Sequence, residues 1–438
     1  MIKTNVDTVV VGSGPGGATV ARQLARAGRQ VLILEKGLDW REHPLYGTYP
    51  GAMLYTDRMS LLYSKQGLNI IRPLMVGGAT SMYCGCAARP LPWWQDHYGI
   101  DLHKYAQETI DELGIAPLPP AMRGTASTRI AAAADALGMP WEPQDKFMVP
   151  ARADRFRCGA TCMLGCRCGA KWSAAEYVDE AVQAGAALWT GAGVERILLS
   201  GHAVAGVTGR VKGQPFTIHA PQVILAAGGI GSAVLLRRSG LFDAGRGMTM
   251  DITVMVYGHA PFKGLGNDPP MTWSYPDDEL GVLFSTLIDP WLMYPLILVR
   301  KGPAYPLTWH RYGRTLGIMI KLKDEISGGI DIHGRIDKGL TPNDRLRLGR
   351  AEQVAGRILR QAGCAPDSIF TTPVRGTHPS GTVRIGEMLS PDLETEIANL
   401  YVCDAAVFPQ ALARPTVLTI ISLAKRLGDH LIHQEKVD

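Results

Sequence analysis

The glycine-rich turn near the start of the chain constrains the fold more than any other sequence feature. The run Val6–Val11, VDTVVV, is apolar and β-branched, which is typical of a buried parallel strand. It leads into Gly12-x-Gly14-x-x-Gly17, and Ala18–Ala27 then repeats apolar residues at helical spacing. A strand, a glycine turn and a helix in this order form the unit that binds dinucleotides.

Each glycine of this turn has a physical role. Gly12 permits the tight turn, Gly14 lets a pyrophosphate approach the backbone, and Gly17 lets the helix pack closely on the strand. The next apolar run, Val31–Leu34, ends in Glu35, whose carboxylate can accept hydrogen bonds from both ribose hydroxyls. Because that charge would repel a 2′-phosphate, we expect an adenine dinucleotide without one. The stretch alone does not separate FAD from NAD.

Length and composition indicate a large globular protein. The chain has 438 residues, more than a single domain usually contains, so we expect two interleaved domains. Its 46% apolar and 19% charged residues fit a chain with a sizeable core. The formal net charge is +5, but the lysines and arginines are scattered singly or in pairs. We therefore expect no nucleic-acid partner.

The sequence also gives expectations about location. The first strand starts by Val6, which leaves no room for a signal peptide. The longest candidate membrane span, Leu283–Val299, contains Asp289 and two prolines and is too short to cross a bilayer. A cytoplasmic protein is therefore predicted. If Trp291 or the Trp93-Trp94 pair is exposed, it would allow contact with a membrane surface and entry of a lipid-like substrate or a quinone.

Two further segments repeat glycine signals. Gly77-Gly78, followed by Thr80, indicates a loop that meets a phosphate or a flavin ring, although a glycine turn into a core helix is the simpler interpretation. Pro221–Gly240 repeats the order of strand, glycines and helix. A second strand of this kind is typical of flavin folds and of folds that bind two dinucleotides, and not of a simple NAD domain.

In the second half of the chain the pattern of apolar residues changes, and near the C-terminus it returns to that of the first domain. Between Met248 and Ile332, short β-branched or apolar runs predict strands of a separate antiparallel sheet. Pro342–Ala362 is amphipathic and predicts one helix, and Thr341 is placed to cap it. The run Asn399–Pro409 predicts a buried strand. A final helix over Thr416–Ile432 would rejoin the first domain.

These patterns predict an α/β fold in two parts. Residues 1–240 and 395–438 would form a discontinuous Rossmann-like nucleotide domain that includes a cysteine-rich segment at 158–168. Residues 241–394 would form a second, substrate-binding domain built on an antiparallel β-sheet.

Taken together, five motifs resemble the glucose–methanol–choline (GMC) family of FAD-dependent oxidoreductases. The resemblance implies a flavin fold in which the isoalloxazine ring lies between the nucleotide domain and the substrate domain. The motifs are GSGPGGATVARQLA with ILEKG, VGGATSMYCG, VILAAGGIGSAVLLRRSG, HPSGTVRIG, and LYVCDAAVFPQALARPTVLTIISLAKRLGDHLI.

The resemblance also implies which residues contact FAD. The pyrophosphate would lie at the glycine turn and the adenosine at the end of the second parallel strand. The flavin would lie beside the Gly77-Gly78 loop and the turn before the last helix. In that order the implied contacts are Gly12, Gly14 and Gly17; Glu35 and Val194; Gly77, Gly78 and Thr80; and Asp404, Pro415 and Thr416.

His378, in THPSGTVRIG, is the predicted catalytic residue. Family members that oxidise alcohols have a histidine here that faces the flavin, and an imidazole titrates near neutrality, as a general base requires. The resemblance implies that a hydride passes from the substrate C–H to flavin N5 while His378 accepts the hydroxyl proton. Holding both groups at contact distance would supply much of the rate acceleration.

One departure from the family pattern concerns the partner of this histidine. A second His or Asn is expected just before the last helix, but here the chain has Arg414. A guanidinium stays protonated and cannot act as a base, although it could stabilise an alkoxide or a substrate carboxylate; alternatively it points to solvent. Two other functions therefore stay open. They are chemistry on C–C or C=C bonds of a lipid-like substrate, and a flavin electron-transfer subunit without alcohol turnover.

Four cysteines lie within eleven residues at the spacing C-x₃-C-x₃-C-x-C, namely Cys158, Cys162, Cys166 and Cys168. In a reducing compartment such a group favours metal or redox chemistry over disulfides. Family dehydrogenases that pass electrons to carriers have a similar segment with an iron–sulfur cluster, so the resemblance implies a cluster that relays electrons to a carrier protein or a quinone. Zinc and structural thiols are the alternatives.

Overall fold

The computed structural model describes residues 2–156, 158–294 and 305–434. Its centre is the predicted glycine unit. A fully buried strand, Thr8–Val11, enters the glycine turn, and the helix Pro15–Arg26 leaves it. The proline stands in the first helical turn, where its missing N–H costs no hydrogen bond. The face of this helix formed by small residues is buried, which allows it to pack closely on the sheet.

Around this unit lies a parallel sheet whose strands are covered on both faces, as parallel sheets usually are. The last strand of the chain, Leu400–Val402, enters this sheet beside Gln222–Leu225. The C-terminal helix packs on Pro15–Arg26. Within the described residues the strand order across the sheet is Leu400–Val402, Gln222–Leu225, Thr8–Val11, Val31–Glu35 and Ala187–Thr190.

A second sheet lies beside it and is mostly antiparallel. The hairpin of Ala192–Ser200 and Ala203–Val211 continues into Gln214–His219, which pairs in parallel with Ile2–Asn5. The hairpin register shifts between Val194 and Arg196.

The third large sheet forms the other half of the molecule and is mainly antiparallel, with one parallel pair, Asn69–Ile70 and Arg375–Gly376, next to its edge strand. Its central strands, Ile252–His259 and Thr315–Leu322, place Thr253 opposite Lys321. In the described part of the chain its order is Leu62–Tyr63, Asn69–Ile70, Arg375–Gly376, Ile252–His259, Thr315–Leu322, Val282–Thr286, Trp273–Asp277 and Glu142–Pro143, and Phe370–Thr371 also pairs with Ile252–His259.

Helices cover these sheets. Thr341 caps the predicted amphipathic helix, because its side chain accepts from Asp344 N while the Asp344 side chain accepts from Thr341 N. The described α-helices are Pro15–Arg26, Tyr49–Leu54, Trp93–Tyr98, His103–Leu113, Thr125–Asp135, Ala174–Gln183, Gly228–Arg238, Pro342–Gln361 and Val417–Gln434.

The observed architecture confirms the predicted fold class, a parallel nucleotide-binding sheet combined with a second half built on a mainly antiparallel sheet. Each half has its own large core of buried apolar side chains. One strand prediction needs a correction. The last of the predicted strands, in the run GGIDIHG at residues 328–334, does not join the large sheet. The strand observed there, Ser327–Ile330, pairs with Arg246–Met248 and Ile336–Asp337 in a small separate sheet.

The tryptophans proposed for membrane contact have different environments. Trp94 is buried in the core, whereas Trp291 is 47% exposed and stacks on Trp309. The end of the candidate span Leu283–Val299 lies outside the described residues, and its beginning belongs to the strand Val282–Thr286. No helix in the described ranges has both the length and the apolar character needed to cross a membrane. Membrane contact stays a prediction.

Candidate active site

A cavity of about 400 Å³ lies between the parallel sheet and the large antiparallel sheet. This volume is within the range of small-molecule and cofactor sites. Its lining includes eight of the thirteen residues predicted for cofactor binding and catalysis, from the glycine turn to the candidate base. These eight are Gly12, Gly14, Glu35, Gly78, Val194, Asp404, Thr416 and His378.

The glycine turn has the geometry that its sequence predicts. Gly12 has a φ of +104°, and a Cβ there would lie 2.3 Å from the carbonyl oxygen of Ala226. A Cβ on Gly17 would lie 2.1 Å from the carbonyl oxygen of Gly12, so this glycine serves helix packing and does not line the cavity. Gly14 has open space in front of it. Backbone N–H groups at this helix N-terminus can therefore face an anion.

Glu35 lies at the end of its strand, where the carboxylate is held by backbone and hydroxyl donors. Its Oε2 accepts hydrogen bonds from Ser13 N at 3.0 Å and Ser13 Oγ at 2.6 Å, and its Oε1 accepts from Gly37 N at 2.8 Å. These contacts fix the carboxylate at the cavity wall. Val194 lines the same cavity at the point where the hairpin register shifts, which interrupts the strand pairing next to its backbone.

Asp404, which follows the C-terminal strand, connects that strand to the glycine motif that contains Gly228. Its Oδ2 accepts from Gly228 N at 2.8 Å and from Ser232 Oγ at 2.6 Å, and its Oδ1 accepts from Ala406 N at 2.7 Å. Burial raises the pKa of Asp404, and these three donors oppose that effect. The carboxylate thereby fixes the entrance to the helix Gly228–Arg238 beside the cavity.

In the loop that contains Gly77 and Gly78, some residues line the cavity and others are buried behind its wall. Gly78 lines the cavity and lies so close to Gly14 that a Cβ on it would be 3.0 Å from the Gly14 Cα. Thr80 is fully buried, donates to Gly77 O at 2.6 Å and accepts from Ala174 N at 2.9 Å. Gly77 and Thr80 therefore support the cavity from behind its wall, and Pro415 does not line the cavity.

At the other end of the cavity, His378 is paired with a buried carboxylate. Its Nδ1 is 2.8 Å from Asp251 Oδ2, and the other oxygen of Asp251 accepts from Ala413 N at 2.9 Å. Because an ionised carboxylate only accepts, Nδ1 carries the proton and Nε2 keeps its lone pair. The His378 backbone N also donates to Met250 O at 2.7 Å, which locks the two segments together.

Asp251 has an unusual backbone conformation, with a φ of 45°. Non-glycine residues adopt this left-handed conformation uncommonly, and aspartate tolerates it better than most. The side chain is almost completely buried. Strained, buried charges of this kind cluster at functional sites, and here the conformation turns the carboxylate towards His378.

A lysine also contacts His378. Lys321 Nζ lies 3.4 Å from Nδ1 and 3.3 Å from Nε2. Burial lowers the pKa of His378, the Lys321 cation lowers it further, and Asp251 opposes both effects. The imidazole is therefore neutral near pH 7, the form that a general base requires.

Arg414, the residue at the expected His or Asn position, lies elsewhere. Its guanidinium donates to the carbonyl oxygen of Ala413 at 3.2 Å and to Asp278 Oδ1 at 2.8 Å. Asp278 is almost fully exposed, so this ion pair is at the surface. The charged partners that contact His378 in the structure are Asp251 and Lys321.

The four clustered cysteines lie close together. The sulfur atoms of Cys158 and Cys168 are 3.9 Å apart, and those of Cys166 and Cys168 are 3.8 Å apart. A hydrogen bond from Cys158 and the cations of Lys171 and Lys146 lower the pKa of Cys162 to about 6, against the effect of burial. Yet no group of three or more His, Cys, Asp or Glu side chains within the described ranges is arranged to hold a metal ion. The iron–sulfur prediction is therefore not supported.

Sequence reasoning missed Asp251 and Lys321, although the sequence contains a signal for both. Each is a single charged residue inside an apolar run, MDITVMVYG for Asp251 and TLGIMIKL for Lys321. Charged side chains are rarely buried without a partner, so a charge in a buried strand indicates a specific contact. The pattern did not show which residue that partner is.

Fold and site together define a class of protein. A dinucleotide cavity between a parallel and an antiparallel sheet, ending on a neutral histidine paired with a carboxylate, is typical of nucleotide-dependent oxidoreductases. Comparison with known families is more specific. The sequence models of the GMC oxidoreductase family match residues 7–252 and 335–424. The chain belongs to the GMC family of FAD-dependent oxidoreductases.

Known relatives and structures agree with this assignment. An uncharacterised GMC-type oxidoreductase of Mycobacterium tuberculosis is 27% identical over 98% of this chain and 76% of its own length. A long-chain-alcohol oxidase of Arabidopsis thaliana is 25% identical over 98% of this chain and 68% of its own. The crystal structure of pyridoxine 4-oxidase from Mesorbium loti superposes with a TM-score of 0.76 at 18% identity, covering 98% of this chain and 99% of that one.

The residues present also fit FAD. Gly12 and Gly14 present backbone to the cavity, Glu35 offers a fixed carboxylate beside Val194, and His378 lies at the far end. A dinucleotide held by the glycine turn and by Glu35 would be placed in the same cavity as the candidate base.

Proposed function

We propose that the protein is a dehydrogenase that oxidises a CH–OH group of a small or lipid-like substrate, with His378 as the proton acceptor. FAD supplies the hydride acceptor when it is bound. The observation that carries the proposal is the pairing of His378 Nδ1 with Asp251 Oδ2 at 2.8 Å in the wall of the nucleotide cavity. This pairing leaves Nε2 as the nitrogen that can accept a hydroxyl proton.

Different groups of the chain have different roles in this reaction. Asp251 holds the imidazole in one tautomer, and it is itself held by the backbone N–H of Ala413. The backbone hydrogen bond from His378 N to Met250 O keeps the ring from moving away from that carboxylate. A substrate hydroxyl within hydrogen-bond reach of Nε2 would lose its proton as the neighbouring C–H bond breaks.

The names of the relatives support an alcohol as the substrate. A long-chain-alcohol oxidase and a 5-(hydroxymethyl)furfural oxidase are relatives, and pyridoxine 4-oxidase has the same fold. Electrons would then pass to a carrier protein or a quinone. The proposed function includes no iron–sulfur relay, because the described cysteines form no metal site.

The test is anaerobic bleaching of the bound flavin. The holoenzyme is mixed with a series of primary alcohols of increasing chain length, with pyridoxine, and with a saturated ketone as a probe for C–C chemistry. We expect one or more alcohols to bleach the flavin, and deuteration of the carbinol carbon to slow the bleaching. His378→Gln should reduce the rate by about 10²–10⁴-fold without loss of FAD.

His333→Gln is the matched control, because His333 also lines the cavity. It should bleach at the wild-type rate. Bleaching by the ketone alone would favour C–C chemistry, and no bleaching by any compound would favour an electron-transfer subunit. His378→Gln with an unchanged rate would remove the assigned base. Reoxidation by dioxygen, by a soluble quinone and by an artificial one-electron carrier then identifies the class of acceptor.

A further inference from the structure

The feature behind this inference is a lysine near the end of a fully buried strand. All eight residues of Thr315–Leu322 are buried, and Lys321 is 3% exposed. Burying an ammonium without compensation costs several kcal/mol, and buried lysines are accordingly rare. In the parts of the chain that the structure describes, Lys321 Nζ has one hydrogen-bonding neighbour, the ring of His378. A lysine that served only packing would have no reason to place its charge there.

The two Nζ distances show how the groups meet. Nζ is almost equally far from both ring nitrogens, at 3.4 Å and 3.3 Å. A donor along the lone pair of one ring nitrogen would be clearly closer to that nitrogen than to the other. The ammonium therefore lies against the ring, and the lone pair of Nε2 stays free for a substrate proton.

Two charged groups contact the His378 ring. Asp251 pairs with His378 Nδ1, and Lys321 lies against the same ring. Burial lowers the pKa of Lys321, and Asp251, Cys84 and Cys86 oppose that effect. The imidazole is thus held between one anion and one cation whose effects on its protonation have opposite signs.

We propose that Lys321 is a positioning residue that keeps His378 in its neutral, proton-accepting form, with its ammonium against the imidazole opposite the Asp251 contact. The inference rests on the proposed role of His378 as a base. Asp251 alone would stabilise an imidazolium, which cannot accept a proton. The nearby cation offsets that effect. It also favours release of the proton that His378 gains in each turnover.

The experiment is a titration of His378 in the FAD-loaded protein by NMR, with histidines labelled with ¹³C at Cε1. The His378 signal is assigned by its loss in His378→Gln. Wild-type His378 should titrate below the ordinary histidine pKa. In Lys321→Met the midpoint should rise by about one pH unit or more, because an adjacent charge shifts a pKa by that amount. Lys321→Arg should keep the wild-type midpoint, since it retains the positive charge.

Lys323→Met is the matched control. Lys323 lies two residues further along, its charged neighbours are Asp278, Arg347, Arg414 and Asp251, and it makes no contact with the His378 ring within the described residues. Its removal should shift the His378 midpoint much less than removal of Lys321, which contacts the ring directly. The titration needs no substrate, so it separates this inference from the proposed function. With a substrate in hand, the pH profile of flavin bleaching should shift upward in Lys321→Met by the same amount.

An unchanged midpoint in folded, FAD-containing Lys321→Met would overturn the inference. If that variant does not fold, Lys321→Gln provides the same neutral side chain with a polar end. If neither folds, Lys321→Arg decides. A midpoint well below wild type in that variant would mean that Lys321 is uncharged when His378 titrates, and the inference would be wrong.

Discussion

The two ends of the cavity are formed by different kinds of chemical groups. At the glycine end, the groups that face the cavity are mainly backbone atoms of the glycine turn and the Glu35 carboxylate, together with Gly78, Val194 and Asp404. At the His378 end, the imidazole of His378 faces the cavity and is contacted by two charged side chains from distant segments, Asp251 and Lys321. The first end depends on local backbone conformation, and the second depends on the relative position of two central strands and a loop.

This difference has consequences for substitution. A binding site formed by main-chain atoms is disrupted when a side chain is added, because the new atoms collide with main chain that cannot move away. A side-chain site fails when a charge is removed, because the remaining buried charges lose their balance while the fold stays largely intact.

The largest effect is expected for Gly12→Val. A Cβ at this position would lie 2.3 Å from Ala226 O, and the φ of +104° is unfavourable for a β-branched residue. We expect a protein without FAD, or no folded protein, as measured by the flavin content after purification. Gly14→Ala is its partner, because Gly14 has a φ of −69° and nothing within 4 Å of an added Cβ.

Gly14→Ala should therefore fold with the wild-type thermal midpoint and bind FAD about tenfold more weakly or worse, because the new methyl group meets only the cofactor. Fluorescence of released FAD measures the dissociation constant. Wild-type FAD affinity in Gly14→Ala would mean that the pyrophosphate does not lie against this residue, and the glycine end would need a different assignment.

An intermediate effect is expected for Asp251→Asn. Asparagine tolerates the φ of 45° and can still accept the hydrogen bond from Ala413 N, but it removes the charge that holds His378 Nδ1 protonated. We expect flavin bleaching by the substrate to be about 10- to 100-fold slower, less than for loss of the base itself. FAD content should be unchanged. If Asp251→Asn instead lost FAD and kept its bleaching rate, the two ends of the cavity would not be separable.

The smallest effect is expected for Arg414→Ala. Its guanidinium pairs with exposed Asp278, and exposed ion pairs contribute little. Bleaching should stay within about threefold of wild type. Asp278→Asn is the control, since it breaks the same ion pair from the exposed side. A decrease of more than about tenfold for Arg414→Ala alone would restore this residue as a catalytic group and place a second cation at the His378 end.

Much of the fold could be predicted, because its strongest signals are local. The glycine turn, the flanking apolar runs and the helix that Thr341 caps each follow from a few neighbouring residues. The assignment of Ser327–Ile330 to the large sheet failed, because β-propensity shows that a segment is extended and not which strand it pairs with.

The sequence by itself determined the dinucleotide turn, Glu35 and the candidate base His378, because each is defined by its immediate neighbours in the chain. Only the tertiary structure decided which charges surround that base. Asp251 directly precedes one strand and Lys321 lies in the strand paired with it, 70 residues further along the chain, and Arg414 points to Asp278. Electrostatic partners act through distance in space, and spacing along the chain does not report that distance.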